Sequence, residues 1–215
     1  MNFPDQWPFP QRQEFAGKFV KLRPRDAARD AVALYEITHR EPEFSALWRY
    51  LPYGPFASFA QFEALLIEQE NNAQQVFFTV FSHELQAPVG SLALISIAQP
   101  NGSAEIGHVW YSPVAQRSKV NTESVFLLLR HLFDDLKYRR VEWKCNDLNE
   151  PSKRAALRMG FQYEGLFRQH QVINDESRDT AWFAMLDCEW PQRKANFERW
   201  LYEENSPSLS ELNAS

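Results

Sequence analysis

The chain has 215 residues and an acidic balance, with a formal net charge of −5. Phosphate binding usually leaves a basic footprint on a protein, so this charge argues against nucleic acid as a partner. Only seven glycines are present, and their positions fit neither a G-x-G-x-x-G nor a Walker P-loop motif. The sequence therefore excludes both of these nucleotide-binding patterns.

The two cysteines, Cys145 and Cys188, lie far apart and lack C-x-x-C spacing, which excludes a disulfide framework and a zinc ribbon. We expect no metal. No apolar run approaches the roughly 18 residues that a membrane span needs. The first residues show no basic segment followed by an apolar one, so no secretory signal is predicted. These features together predict a cytoplasmic protein without a membrane partner.

Apolar periodicity in the first half of the chain predicts one strand, two helices and three further strands. Asp26 and Ser58 are of the residue types that cap helix N-termini, and Asn101-Gly102 favours a hairpin turn. In chain order, the predicted elements are a strand at 18–23, a helix from Asp26 to Arg40, a helix beginning at Ser58, and strands at 75–81, 89–98 and 104–111.

The second half begins with the longest helical pattern, at 117–137, in which leucines recur at helical spacing. A strand at 140–145 follows, and then a helix from Asn149 to Met159, with Gly160 as its stop signal. The last predicted elements are strands at 161–173 and 180–187 and a helix at 189–202.

This order of elements predicts an α+β fold in a single domain, with a mixed, mostly antiparallel sheet flanked by helices. We predict an N-terminal arm at 1–16, a folded domain at 17–202 and a polar, disordered tail at 203–215.

Two of the predicted helix starts carry residues that suit a ligand. Arg117 and Lys119 lie where free N–H groups and a partial positive charge favour phosphate oxygens, although any helix has such a start. Asn149 begins a later helix, with Ser152 in its first turn, and this pattern fits capping alone as well as a binding role.

Seven motifs follow one another in the chain: KFVKLRP at 18–24, VGSL at 89–92, EIGHVWYSP at 105–113, QRSKVNTES at 116–124, NDLNEPSKRAALRMGF at 146–161, EGLFRQH at 164–170 and RDTAWFAMLDCEWP at 178–191. In this order and spacing they resemble the GNAT acetyltransferase superfamily. The branch they resemble most contains the ribosomal-protein N-terminal acetyltransferases. The resemblance covers roughly residues 15–200, and it rests on the whole arrangement more than on any single motif.

The resemblance implies a V-shaped splay between the strands at 104–111 and 140–145, with acetyl-CoA bound there as co-substrate. Backbone groups near Val109, Trp110 and Tyr111 would pair with the pantetheine arm, as a sheet edge pairs with a peptide. Asn149 would contact the pantetheine, and Lys153 would reach the phosphates. The pyrophosphate would bind at Gln116, Arg117, Ser118, Lys119, Val120, Asn121 and Thr122.

The predicted function is transfer of an acetyl group from acetyl-CoA to a primary amine, either a protein N-terminus or a small-molecule amine, by direct attack. The resemblance assigns Ser152 the protonation of the leaving thiolate, and Asn149 belongs to the same predicted catalytic set. A carboxylate or a histidine would take the proton of the amine. Strand alternation puts Glu105 and His108 on opposite faces, so at most one of them faces the site, and we predict Glu105 for this role.

The pyrophosphate loop departs from the family pattern Q/R-x-x-G-x-G/A. Lys119 and Asn121 fill the two glycine positions, where glycine allows the backbone to approach phosphate closely. Either the side chains obstruct the phosphate, or Lys119 replaces the lost contact with charge. The first possibility motivates an alternative hypothesis, an acyl-CoA-binding sensor or partner protein that has lost turnover.

The sequence does not identify the amine that accepts the acetyl group. Aromatic residues concentrate between the first two predicted helices, where they either shape the acceptor site or pack as core and lid. Dimers are common in the branch that the chain resembles, so a homodimer stays open. The aromatic residues are Phe44, Trp48, Tyr50, Tyr53, Phe56 and Phe59.

Overall fold

The structure, a computed structural model, describes residues 3–214. Residues 1 and 2 of the predicted arm and residue 215 of the predicted tail lie outside this range. Its strands are β1 (Phe15–Ala16), β2 (Val20–Pro24), β3 (Val76–Ser82), β4 (Ala87–Ala98), β5 (Ser103–Tyr111), β6 (Arg140–Asn146), β7 (Gln162–Ile173) and β8 (Glu176–Leu186). Its helices are α1 (Ala27–His39), α2 (Phe59–Asn71), α3 (Lys119–Arg130), α4 (Glu150–Arg158), α5 (Trp190–Tyr202) and α6 (Leu209–Ala214).

The strands form one mixed sheet of eight, in the order β1-β2-β3-β4-β5-β6-β8-β7. Most neighbours run antiparallel, but β5 and β6 run parallel, and their ladder covers only three residue pairs, from Ser103↔Arg140 to Glu105↔Glu142. Both strands continue beyond the last of these pairs. The α+β prediction is confirmed.

The contacts divide the chain into two compact units. The first contains the residues up to Phe9, Ile97–Glu105 and the residues from Leu128 onward. The second contains Pro10–Ser96 and Ile106–Leu127. In the second unit, fully buried side chains of β2, β3, α1 and α2 form the core: Leu22, Leu34, Phe62, Leu66 and Phe78. In the first unit the core includes Val141, Ala156, Phe161, Phe183 and Phe197.

Helix starts lie where the capping residues predict them. The side chain of Asp26 accepts a hydrogen bond from the N–H of Arg29, and that of Ser58 from the N–H of Gln61. Each cap satisfies an N–H group that the helix itself leaves without a partner. Within residues 3–214, no helix combines the length and the apolar character that crossing a bilayer demands.

The two ends of the chain are more ordered than an arm and a tail would be. Trp7 is 4% exposed, and its Nε1 donates to the Lys137 carbonyl at 2.6 Å. At the other end, α6 buries Leu209 and Leu212, and Asn196 donates to the Leu212 carbonyl. These apolar side chains explain why both segments pack, and the boundaries at 17 and 202 stay predictions.

Candidate functional site

The segment between β5 and α3 is an exposed polar turn that leads into a helix. Ser118 lies just before α3, and its Oγ accepts from the N–H of Val120 at 3.2 Å and donates to the Ala115 carbonyl at 2.6 Å. Arg117 is exposed and has a left-handed backbone, with φ of 58°. The turn therefore presents a cationic side chain and the beginning of a capped helix, which together suit an anion.

Lys119 and Asn121, which stand at the glycine positions of the family loop, belong to α3. Neither has a positive φ in the structure. The left-handed residue of this turn is Arg117, so the chain does not need glycine's conformational freedom at 119 or 121. The Nζ of Lys119 lies over the Phe19 ring, 4.9 Å from its centroid.

The second turn of α3 is buried and anchors the backbone that precedes β2. The Glu123 side chain has no exposed surface, and its two oxygens accept from the N–H groups of Lys18, Phe19 and Val20 at 2.7–2.8 Å. A Cβ at Gly17 would lie only 2.4 Å from this carboxylate, so glycine is required there by close approach. Sequence reasoning missed this contact.

Strand β5 offers backbone groups beyond Glu105, where its ladder with β6 has ended. Val109 is half-buried, whereas Trp110 and Tyr111 are buried, so any ligand here would meet mainly backbone. The carbonyl of Tyr111 already accepts from Gln116 Nε2 at 3.1 Å. Its second lone pair is still able to accept a further hydrogen bond.

In the other compact unit, the start of α4 fixes Asn149 and Ser152. The Asn149 side chain caps the helix by accepting from the N–H of Ser152 at 3.2 Å. Trp143, on β6, donates its indole N–H to the Ser152 Oγ at 3.0 Å. An indole N–H can only donate, so the hydroxyl proton of Ser152 stays available. Burial raises the pKa of the neighbouring Cys145 thiol.

Lys153 is held by two carboxylates, at 2.6 Å from Glu150 and 3.1 Å from Asp147. These hydrogen bonds raise the pKa of its ammonium group. The lysine would have to leave both partners to reach a phosphate, which makes it the least prepared of the predicted phosphate ligands.

Glu105, the predicted base, lies in a charged group on β5 and β6. Its Oε2 is 2.9 Å from Lys144 Nζ, which also pairs with Glu142 at 2.8 Å. The Glu105 residue is 7% exposed. Glu142 and Lys144 share a strand face. Burial raises the pKa of Glu142, but hydrogen bonds from Lys144 and Arg140 outweigh that effect and hold it below its usual value.

The aromatic segment between α1 and α2 packs mainly as core. Trp48 is 1% exposed and contacts Trp110 of β5, with ring centroids 5.4 Å apart. Tyr53 and Phe56 are half-buried against the same cluster. The packing interpretation is thus the better one for Trp48.

Along α1, a cavity of about 470 Å³ is lined by Tyr35, Glu36, Ile37, His39 and Arg40.

A buried polar network, also missed by sequence reasoning, joins the start of α1 to β3. Arg25 is 5% exposed and donates to Thr79 Oγ1 at 3.0 Å, and Thr79 in turn donates to Asp30 at 2.6 Å. Burial lowers the pKa of Arg25 to about 10, so its guanidinium is charged at neutral pH. A lone arginine after a strand-ending proline carries no signal of such burial, which depends on distant hydroxyl groups.

His108 has a left-handed backbone within β5, with φ of 51°. This conformation interrupts the strand alternation on which its predicted orientation relative to Glu105 rests.

Among residues 3–214, no group of three or more His, Cys, Asp and Glu side chains is arranged to hold a metal ion.

The chain matches the family model described as acetyltransferase (GNAT) domain over residues 20–162. A GCN5-related N-acetyltransferase from Brucella melitensis is 36% identical, with a TM-score of 0.95 over 100% of this chain and 99% of that one. A probable acetyltransferase of the GNAT family from Chromobacterium violaceum ATCC 12472 is also 36% identical, with a TM-score of 0.80 over 86% and 92%.

Among curated proteins, the ribosomal-protein-serine acetyltransferase of Escherichia coli (strain K12) is 30% identical over 98 residues. The match spans 46% of this chain and 54% of that enzyme, so little more than half of the relative is covered. The family model covers well over half of the chain, and a solved relative agrees with it from end to end. The chain therefore belongs to the GNAT family of acetyltransferases.

Proposed function

We propose that the protein transfers an acetyl group from acetyl-CoA to a primary amine, a protein N-terminus or a small-molecule amine, by direct attack. The observation that carries the proposal is the Ser152 hydroxyl. Its oxygen accepts from the donor-only indole of Trp143, which leaves the hydroxyl proton available for the leaving sulfur. An acyl transfer from a thioester needs such a donor when the thiolate leaves.

When bound, acetyl-CoA would supply a thioester that an amine can attack. The residues present fit such a molecule. Beyond Glu105, β5 has backbone groups outside its ladder with β6, which suit the amides of a pantetheine arm near Val109, Trp110 and Tyr111. The turn from Gln116 to Thr122 adds the cations Arg117 and Lys119 at a helix start, which suits a pyrophosphate.

Glu105 would accept the proton of the amine, directly or through a water molecule. The amine nitrogen then forms a bond to the acetyl carbon while the carbon–sulfur bond breaks. Ser152 gives its proton to the leaving sulfur and regains one from the proton that the new amide nitrogen loses. Asn149 keeps this serine in place by capping α4. Lys153 contributes to phosphate binding only after it leaves Asp147 and Glu150.

The test is a screen of amine and peptide acceptors in which released thiol is measured. Ser152→Ala should lower kcat about 100-fold and leave the affinity for CoA unchanged, because the hydroxyl acts in the chemical step. Asn149→Ala should lower turnover by a smaller factor. Ser210→Ala, at an exposed serine near the C-terminus, is the matched control. Acetyl-CoA binding without thiol release from any acceptor would overturn the proposal.

We also propose a cytoplasmic location and a homodimer. Two free cysteines, Cys145 and Cys188, support a reducing compartment. The edge strand β7 exposes Tyr163, Phe167 and Val172, which supports association of two copies. Fractionation of cells and sedimentation of the purified protein test the two statements separately.

A further inference from the structure

Lys144 is an amine that the structure holds against the proposed base. Its Nζ lies 2.9 Å from Oε2 of Glu105 and 2.8 Å from Oε2 of Glu142, and its side chain is only 14% exposed. A general base lies within about 2.6–3.2 Å of the atom from which it takes a proton. For Glu105, the nitrogen at that distance in this structure belongs to the chain itself.

The register of β6 places Lys144 just beyond the end of its ladder with β5. The last pair of that ladder is Glu105↔Glu142, and Lys144 follows Glu142 on the same strand face, two residues further along. Between them, Trp143 points to the opposite face, where its indole donates to Ser152. Lys144 is thus the first residue on its face of β6 outside this ladder, and its neighbour in the chain contacts the proposed proton donor.

Trp182 of β8 holds the lysine side chain in place. Lys144 and Trp182 are directly opposite each other in the ladder between β6 and β8, and the Nζ lies over the indole, 4.0 Å from the ring centroid. Phe167 packs against the same indole, with ring centroids 4.4 Å apart. An ammonium group is attracted to an aromatic face. The nitrogen is therefore held beside the two carboxylates rather than in solvent.

The charges around this nitrogen allow it to become neutral. Glu142 also accepts from Arg140 Nε at 2.8 Å, so it keeps a cation when Lys144 leaves it. A proton that passes from Nζ to Glu105 along their contact removes one positive and one negative charge together. No unpaired charge is then left in the site, which would be the costly outcome in buried surroundings. The neutral amine that results is a nucleophile.

We propose that Lys144 is itself an acceptor, a lysine that the chain acetylates when acetyl-CoA is bound and no external amine takes its place. The inference rests on the proposed acetyl transfer, with Glu105 as the base. Nζ gives one proton to Glu105 and forms a bond to the acetyl carbon while the carbon–sulfur bond breaks. Ser152 protonates the leaving sulfur and regains a proton from the one that the new amide nitrogen loses. The products are acetyl-lysine, CoA and a protonated Glu105.

The first test needs no external acceptor. The purified protein is incubated with excess acetyl-CoA, and its acetylated lysines are mapped by mass spectrometry of peptides. Lys144 should react about 100-fold faster than Lys21, whose side chain is 40% exposed and reports purely chemical acetylation. Its rate should not depend on protein concentration, because the amine and the base belong to one chain.

Two results of this mapping would overturn the inference. One is acetylation of Lys21, or of Lys153 next to Ser152, with Lys144 unmodified. The other is a rate at Lys144 that rises with protein concentration, which would show transfer between chains.

Two carboxylate variants distinguish a base from an ion partner. Glu105→Gln removes the proposed proton acceptor and should slow acetylation of Lys144 about 100-fold. Glu142→Gln removes the other partner of the same nitrogen and is the matched control, which should change the rate less than about threefold. Equal slowing in the two variants would overturn the inference, because the lysine would then react without its base.

Lys144→Arg keeps a cation between the two carboxylates but offers no amine to the thioester. Without an external acceptor, wild type should release one equivalent of thiol per chain and then stop, and Lys144→Arg should release none. An equal release from this variant would overturn the inference.

These results are separate from those of the acceptor screen. Acetylation of external amines while Lys144 stays unmodified would overturn the inference and leave the proposed function in place. Acetylated Lys144 without turnover of any external amine would support the inference and count against transfer to external amines. Bound acetyl-CoA with no transfer to either would overturn both.

Discussion

The first and second turns of α3 lie next to each other in the chain and have opposite properties. Around Ser118 and Lys119 the polar groups are partly exposed and cationic, and one residue of the turn, Arg117, is left-handed. One turn later, Glu123 is fully buried and its carboxylate accepts three backbone N–H groups. The motif QRSKVNTES thus joins a surface suited to a ligand with an anchor for the fold.

The contrast shows how an exposed helix start can be kept in place. Its own contacts, a cap and a cation over the Phe19 ring, contribute little to stability, since exposed ion and hydrogen-bond contacts are weak. The buried Glu123 supplies the rigid attachment, because a buried carboxylate that loses its partners is costly. The proposed ligand surface and the buried anchor therefore lie within nine residues, and we expect that each can be changed without the other.

Glu123→Ala should have the largest effect on stability. It leaves the N–H groups of Lys18, Phe19 and Val20 buried without acceptors, and we expect a loss of about 3 kcal/mol in the free energy of unfolding. Denaturant unfolding measures it. Glu68→Ala, at an exposed position of α2, should change the same quantity by less than about 0.5 kcal/mol. Equal losses of unfolding free energy in Glu123→Ala and Glu68→Ala would show that the buried second turn of α3 does not anchor the helix.

The sequence predicted most of the fold because its signals are local. Caps at Asp26, Ser58 and Asn149 and the stop at Gly160 depend only on neighbours in the chain, and the structure confirms each of them. The spacing at which apolar residues recur was enough by itself to distinguish helices from strands. The packing of α6 was not predicted, because Leu209 and Leu212 are two apolar residues in a polar segment and reveal their burial only against α5.

The site could be predicted from the sequence only in part. Motif order placed Asn149 and Ser152 at a helix start, and the geometry there agrees with the capping prediction. The partners of Glu123, Arg25 and His108, in contrast, come from distant parts of the chain. A pattern of residue types does not show that Glu123 meets the backbone around Phe19, about one hundred positions earlier.

Lys119→Glu tests the exposed side of the comparison. Reversing the charge at the start of α3 should weaken CoA binding about tenfold, because the pyrophosphate would then meet a carboxylate close to the helix N-terminus. Isothermal titration measures the affinity. Lys21→Glu makes the same change of charge on β2 and should leave CoA affinity within twofold. If Lys119→Glu binds CoA as tightly as Lys21→Glu does, the hypothesis that the charge of Lys119 replaces the phosphate contact of the family's glycines is wrong.

Ser118→Ala removes the cap without changing any charge. We expect a loss of about 1 kcal/mol in the free energy of unfolding, smaller than that of Glu123→Ala, since the N–H of Val120 is left without its side-chain acceptor near solvent. Thermal and denaturant unfolding of the two variants should rank them in this order. A cap that proved to matter more than the buried carboxylate would show that the exposed turn, and not Glu123, holds the helix start.

Glycine and alanine variants at positions 117 and 119 should differ least in the free energy of unfolding, but they test the role of the glycine position most directly. Arg117 is left-handed, so Arg117→Gly should be more stable than Arg117→Ala by about 0.8 kcal/mol, because alanine retains the backbone strain that glycine relieves. Lys119 lies in α3, where alanine is the better helix former, so the order should reverse by about the same amount. A glycine preference at 119 instead would mean that the family's glycine position keeps its conformational role in this chain.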